Sequence, residues 1–173
     1  VGVEALAAIG ASSSITFLIM GFCNGSCAGF AIPVAQTFGA HDYSKMRAYV
    51  AHSLRIGAVI GVILTMLTAV FCARILRVVN TPDDIFHDAY IFLLLTFLTI
   101  PFTIAYNLLS GFIRALGNSR QPFYFLIVSS MVNIVLDVIL ILGMGMGVEG
   151  AGIATMLSQA LAAVLCWVYI HRT

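Results

Sequence analysis

The stretch "SSMVNIVLDVILIL", residues 129–142, places one carboxylate, Asp137, inside an otherwise uncharged run. The surrounding segment, residues 123–143, carries no other charged side chain. It is long enough to cross a membrane, since about 20 helical residues span about 30 Å of hydrocarbon. An ionised aspartate at the centre of a membrane helix costs about 3 kcal/mol on insertion scales. The stretch therefore predicts a transmembrane helix whose aspartate faces protein or a water-filled cavity.

The composition of the whole chain agrees with membrane embedding. Of the 173 residues, 61% are hydrophobic and 9% are charged, with a mean hydropathy of +1.07, whereas soluble domains are about one quarter charged. A net charge of +1 gives no basic surplus for nucleic acid. We expect a multi-pass protein of the cell membrane, plasma or inner, in contact with the lipid bilayer. Four cysteines fall in apolar stretches, where we expect them to pack as small residues: Cys23, Cys27, Cys72 and Cys166.

Five apolar stretches follow one another along the chain, at about residues 13–38, 46–73, 88–116, 123–143 and 150–170. The breaks between them contain turn formers, in "GAHDYSK", "NTPDD", "GNSRQP" and "GMGVEG". The predicted fold class is an all-α membrane bundle of five antiparallel transmembrane helices, preceded by a connecting loop. Pro101 should kink the third helix, because proline removes a backbone hydrogen bond. Glycines spaced by four predict close helix contacts in the first two helices: Gly21, Gly25, Gly29, Gly57 and Gly61.

Charged residues near the ends of the stretches predict the orientation of the bundle. One side carries Lys45, Arg47, Arg114, Arg120 and Arg172, and the other carries Arg74 and Arg77 together with Asp83, Asp84 and Glu149. By the positive-inside rule the first side is cytoplasmic. The chain would then start outside and end inside, so we expect a further helix before Val1. Arg55 lies about a third of the way into its helix and should extend toward the cytoplasmic surface, with His52 on the same face.

Polar side chains inside the last two helices form two stripes at three- and four-residue spacing. One stripe contains Asn133 and Asp137, and the other contains Thr155 and Gln159. Hydroxyl, amide and carboxylate oxygens are hard donors that suit Na⁺, and a carboxylate alone suits a proton. The alternative is a structural hydrogen-bonded pair that joins helices. The third helix has its own stripe, Thr103, Asn107, Ser110 and Arg114, which either lines a pathway or packs.

Six strings, in this order, resemble the amino-terminal lobe of the multidrug and toxic compound extrusion (MATE) family. They are "ALAAIGASSSI", "AQTFGAHD", "NTPDD", "SGFIRALGNSRQP", "SSMVNIVLDVILI" and "GMGVEGAGIATMLSQ". The resemblance covers residues 1–173 as a partial lobe, with the five stretches corresponding to the family's second to sixth helices. It implies a transporter of twelve helices in two lobes, so that a first helix and a second lobe of the same polypeptide would lie outside this chain.

The resemblance also implies a function and a site. The family members are cation-coupled antiporters working by alternating access, with no cofactor beyond the coupling ion, H⁺ or Na⁺. Asn133, Asp137 and Thr155 match the positions that bind this ion, while the family's carboxylate on the first helix has no counterpart here. Asn107, Ser110 and Gln159 are the candidates for a substrate pathway.

Three functions remain open at this point. The leading hypothesis is export of small organic, often cationic, compounds. A flippase for lipid-linked glycans in the same superfamily is the second hypothesis, and a non-transporting scaffold or intramembrane enzyme is the third. Asp137 is the only carboxylate in the interior of an apolar helix, so no aspartic dyad is available and we expect no enzymatic activity.

Overall fold

The computed structural model describes residues 3–172, and it describes side chains for residues 13–147 and 149–172. Helices make up almost all of this part of the chain. They are α1 (Val3–Gly39), α2 (Tyr43–Val78), α3 (Asp83–Leu98), α4 (Ile100–Ala115), α5 (Arg120–Asp137), a π-helical segment (Val138–Gly143) and α6 (Gly147–Arg172).

Five spans are long and apolar enough to cross a membrane: Ser13–Gly39, Tyr43–Val78, Asp83–Ala115, Arg120–Gly143 and Glu149–Arg172. Their number and order confirm the predicted fold class, an all-α membrane bundle. The turns between them are short, and most contain a residue in the left-handed region, such as His41 (φ 57°), Asn80 (φ 54°) and Gly117 (φ 89°). Short turns make consecutive spans antiparallel.

Asp42 shows how one of these turns starts a helix. Its carboxylate accepts a hydrogen bond from the Lys45 backbone at 3.1 Å and so caps α2. The Lys45 ammonium lies 2.9 Å from the same carboxylate. The hydrogen bonds from Lys45 hold the pKa of Asp42 below its usual range.

The helix boundaries differ from the sequence prediction in two places. The opening residues, predicted to be a connecting loop, are helical from Val3, so that prediction was wrong. The segment "VEALAAI" consists mostly of good helix formers and contains no proline or glycine to stop it. The third span is divided at Thr99 into α3 and α4, two residues before Pro101, where the sequence predicted a kink within one helix.

The helix α4 lies at the centre of the bundle, in contact with α1, α2 and α6. Its side chains Ile104, Leu108 and Phe112 are buried among those of α1, α2 and α3. All four cysteines are unpaired and buried, as predicted for packing residues: Cys23, Cys27, Cys72 and Cys166.

Glycines allow three close approaches between helices. A Cβ built at Gly57 would lie 2.3 Å from Leu108 Cδ1, and one at Gly61 would lie 3.5 Å from the Pro101 backbone, so α2 and α4 are in contact here. On α6, a Cβ at Gly152 would lie 2.8 Å from Leu95 Cβ of α3. On α1 the prediction of helix contacts fails for the described atoms: none lies within 4 Å of a Cβ built at Gly21, Gly25 or Gly29.

Candidate cation site and neighbouring cleft

The helices α5 and α6 form an antiparallel pair whose register is set by one side-chain contact. The Ser129 hydroxyl donates a hydrogen bond to the Ser158 carbonyl. Counting from this contact at about 1.5 Å per residue places Asn133 at the level of Thr155, and Asp137 at the level of Gly150. The three residues that the resemblance assigned to cation binding therefore lie on this helix pair, with Asn133 and Thr155 at one level and Asp137 about one turn further along α5.

Among the described residues of this pair, three polar atoms are buried without a hydrogen-bonding partner: Asn133 Nδ2, Asp137 Oδ1 and Gln159 Oε1. A buried polar atom left without a partner costs about 1–3 kcal/mol, and more when it is charged. A half-turn of the Asn133 amide exchanges its oxygen and nitrogen, so this side chain can present either atom. A proton or a small cation at Asp137 Oδ1 would remove the largest of these costs.

Thr155 contributes a hydroxyl on the other side of the pair. Its Oγ1 donates to the Ala151 carbonyl at 2.9 Å, which leaves the oxygen lone pairs free to accept or to coordinate. The residue is exposed. By the same counting, Gln159 lies about two and a half turns from Asp137, toward the end predicted to be cytoplasmic, so its unpartnered oxygen lies at a different level of the bundle.

The π-helical segment begins directly after Asp137, and the sequence prediction did not include it. π-turns inside helices occur often at functional sites. The segment packs closely against α6, because a Cβ at Gly150 would lie 3.1 Å from Leu140 Cβ and 3.3 Å from the Leu140 backbone. Hydrophobic periodicity gives no signal for a π-turn, and the only hint in the sequence is the glycine opposite it.

A cleft of about 510 Å³ lies between α1 and α4. The Asn107 amide donates to Asn24 Oδ1 at 2.7 Å across this cleft, and both side chains line it. The rest of its wall is mostly small residues of the two helices, with Arg114 at one end. The sequence prediction included Asn107 but missed Asn24, whose signal was an amide in the apolar segment "GFCNGSCAGF".

Ser110 is not among the residues that line the cleft. It is 1% exposed, and its hydroxyl donates to the Asn107 carbonyl at 3.2 Å. The same oxygen lies 3.5 Å from Arg114 Nη2. Ser110 therefore lies behind Asn107 and Arg114 and contacts both.

The five apolar spans, with a buried carboxylate oxygen in one of them and a polar cleft between two others, define a class, that of polytopic helical membrane proteins. The family model described as MatE matches residues 1–139, and the chain belongs to this family. A probable multidrug resistance protein of Bacillus subtilis, YoeA, is 33% identical over 99% of this chain and 38% of its own length. The multidrug export protein MepA of Staphylococcus haemolyticus is 29% identical over 96% of this chain and 37% of its own length. The chain thus spans less than two fifths of these curated relatives.

Solved structures agree with the family assignment. A multidrug resistance MATE family transporter of the MOP superfamily in its outward-facing conformation superposes with a TM-score of 0.88, at 25% identity over 99% of this chain and 38% of that chain. The inward-facing conformation of such a transporter gives a TM-score of 0.87, at 25% identity over 96% of this chain and 38% of that chain. The chain therefore has the fold of a multi-pass membrane protein, and its family is one of transporters and not of enzymes.

Proposed function

We propose that this chain is most of the amino-terminal lobe of a cation-coupled antiporter that exports small organic compounds by alternating access, with H⁺ or Na⁺ as the coupling ion. The observation that carries the proposal is Asp137 Oδ1, a buried carboxylate oxygen with no partner inside a membrane span. The carboxylate of an aspartate with a purely structural role would accept hydrogen bonds from a neighbouring donor. The relatives named as multidrug resistance and export proteins support the choice of cargo.

The similarity to both conformational states supports alternating access. The chain superposes on outward-facing and inward-facing transporters with nearly equal TM-scores, 0.88 and 0.87. A lobe that fits both states equally well changes little within itself, so the motion lies between lobes. The ion site lies inside the lobe, and its occupancy would bias the two states through differential affinity.

Three residues of this chain have different proposed roles in ion coupling. Asp137 supplies the one titratable group, and Asn133, one turn before it, and Thr155, across the helix pair, supply neutral oxygens. Two neutral oxygens and a carboxylate can hold Na⁺, while the carboxylate alone can hold a proton. Burial without a partner makes the empty, ionised site costly, and this cost favours uptake of an ion before the site closes.

The cleft between α1 and α4 is the proposed contact region for the exported compound. Asn107 and Asn24 together offer amide donors and acceptors in a wall of small side chains. Ser110 would keep Asn107 in position through its hydrogen bond to the Asn107 carbonyl. Gln159 would contribute its free carbonyl oxygen on the neighbouring helix pair.

The test is gradient-driven drug efflux from vesicles that contain the intact protein. Asp137→Asn keeps the shape of the side chain and removes its charge, so the variant should insert and fold but lose ion-driven efflux. Asn133→Ala and Thr155→Ala should reduce efflux less, because each removes one neutral ligand. Rates are compared at matched expression, under an imposed H⁺ gradient and separately under an imposed Na⁺ gradient.

A matched control is Asn118→Ala, which removes an amide that donates to the Tyr169 hydroxyl at 2.8 Å, away from Asp137. Its efflux should stay gradient-driven. Undiminished efflux by Asp137→Asn would remove the coupling role and leave Asp137 as a structural partner of Asn133.

A further inference from the structure

One face of α2 points directly away from the bundle. The buried seam of this helix runs through Ser53, Gly57 and Gly61, where it contacts α4. At about 100° per residue, the opposite face contains an apolar stripe that no described helix covers. Its side chains are between 57% and 72% exposed: Val59, Val62, Met66 and Val70. An apolar stripe of this kind on a membrane-spanning helix is suited to contact with lipid chains.

The length of the uncharged part of α2 fixes where its charges lie in the bilayer. Residues 56–73 contain no charged side chain, and Arg55 and Arg74 bound them at the two ends. Their 18 residues measure about 27 Å along the helix axis, close to the hydrocarbon thickness of about 30 Å. Arg55 therefore lies at one edge of the hydrocarbon, with its side chain at the depth of the lipid headgroups.

Arg55 lies on this outward face together with His52, three residues before it. Among the side chains that the structure describes, none forms an ion pair or hydrogen bond with Arg55. The His52 Nδ1 donates to the Ala48 carbonyl at 2.7 Å, and the side chain is exposed. The nearest carboxylate along the chain, that of Asp42, is about 20 Å away along the axis and is paired with Lys45. Ala48 and Ala51 are exposed beside the pair and leave room for a headgroup.

The other end of this face of α2 is less favourable for an anionic headgroup. Arg74 lies over the Phe71 ring, 5.4 Å from its centroid. Asp83 and Asp84 begin the next helix on this side of the membrane. Their negative charge opposes the approach of an anionic headgroup there.

We propose that Arg55, with His52 beside it, binds the phosphate group of an anionic phospholipid in the leaflet at this end of the bundle. The lipid chains would lie along the stripe from Val59 to Val70, and the headgroup would fill the space beside Ala48 and Ala51. A zwitterionic lipid carries a cationic group next to its phosphate, so Arg55 repels part of it. A headgroup with a net negative charge lacks this repulsion, and one nearby arginine raises its local concentration about fivefold.

The test uses the intact protein in nanodiscs with a fluorophore on a cysteine introduced at Tyr49, which is exposed and about 9 Å from Arg55 along the helix axis. Headgroup spin-labelled phosphatidylglycerol and phosphatidylcholine are compared as quenchers. Half-maximal quenching should need about five times less phosphatidylglycerol than phosphatidylcholine. This preference should weaken at high salt, because the pair is exposed.

Three variants separate a specific site from an unselective lipid shell. Arg55→Gln should abolish the preference, Arg55→Lys should keep most of it, and Arg77→Gln at the other end of the helix should leave it unchanged. Equal quenching by the two lipids in the unmodified background would overturn the proposal. So would a preference that survives Arg55→Gln, or one that Arg77→Gln removes.

Discussion

Asp137 and Gly152 show two opposite kinds of constraint on a single residue. Asp137 has a buried oxygen to which no described residue donates a hydrogen bond, and a bound ion can offset the free-energy cost of this burial. Gly152 lacks an atom, because α3 occupies the space where a side chain would begin. The proposed role of Asp137 is in ion binding and that of Gly152 is in packing, so the effects of substitutions at the two positions should be separable by experiment.

Gly152→Ala should destabilise the bundle. The new Cβ would meet Leu95 Cβ at 2.8 Å, and that atom cannot move without its backbone. The helices α3 and α6 must therefore separate, which should lower the free energy of unfolding by about 1–3 kcal/mol. Thermal unfolding of the intact protein in detergent measures this change.

Gly39→Ala is the control for this substitution. Gly39 is exposed in α1, and no described atom lies within 4 Å of its built Cβ. Alanine there should be neutral or slightly stabilising, since it has the higher helix propensity. If Gly152→Ala matched Gly39→Ala in melting temperature, the close approach of α3 and α6 would be contradicted.

At this scale the sequence predicted residue types well and partners poorly. The stripe of Asn133 and Asp137 followed from the helical spacing of the two residues within one apolar segment. The pairing of Asn107 with Asn24 joins residues 83 positions apart, and periodicity within one helix carries no information about such a contact. Likewise, Gly57 and Gly25 each belong to a series of glycines spaced by four. Of the two, only Gly57 contacts another described helix.

The π-helical segment is the element of the candidate site that differs most from the sequence prediction. It follows Asp137 and ends at Gly143, so the last turn of this span is wider than an α-helix. Gly150 lets α6 approach it closely. The span was predictable from its apolar length, whereas the π-turn depends on hydrogen bonds to i−5 that no hydrophobic pattern encodes. The break before Pro101, by contrast, was predictable because proline has no amide hydrogen.

Gly150→Ala tests whether the segment positions the ion site. Its Cβ would lie 3.1 Å from Leu140 Cβ and 3.3 Å from both the Leu140 backbone and Met146 Cβ. The π-helical segment should shift away from α6 at the level of Asp137. We therefore expect weaker ion coupling, seen as a higher ion concentration for half-maximal efflux, with only a small fall in melting temperature.

The comparison with Gly152→Ala gives this experiment its control. That substitution lies two residues further along α6, at the contact with α3, and should lower stability more than ion affinity. If Gly150→Ala left the half-maximal ion concentration unchanged, the π-helical segment would have no part in positioning Asp137.

For the whole molecule, the uneven burial of the helices matters more than the number of spans. The helix α4 is enclosed by its neighbours, while α2 and α5 present large exposed apolar faces. The face of α2 ends in charges about one hydrocarbon thickness apart, as a lipid-facing surface should. The glycines of α1 that have no described neighbour, and the cleft between α1 and α4, are not part of this face of α2. The number of spans could be predicted from hydropathy, but which faces meet lipid depends on tertiary packing.

The orientation of the bundle in the membrane is predicted from the charged residues at the ends of its spans. Cysteine labelling in intact cells measures this orientation. Ser119 and Asp84 are exposed at opposite ends, and the four native cysteines of this chain are at most 4% exposed, so they should react slowly. A cysteine at Asp84 should react with an impermeant reagent from outside, because the arginine-rich ends stay in the cytoplasm. A cysteine at Ser119 should react only after permeabilisation. The reverse pattern would invert the bundle and place the His52 and Arg55 pair in the outer leaflet.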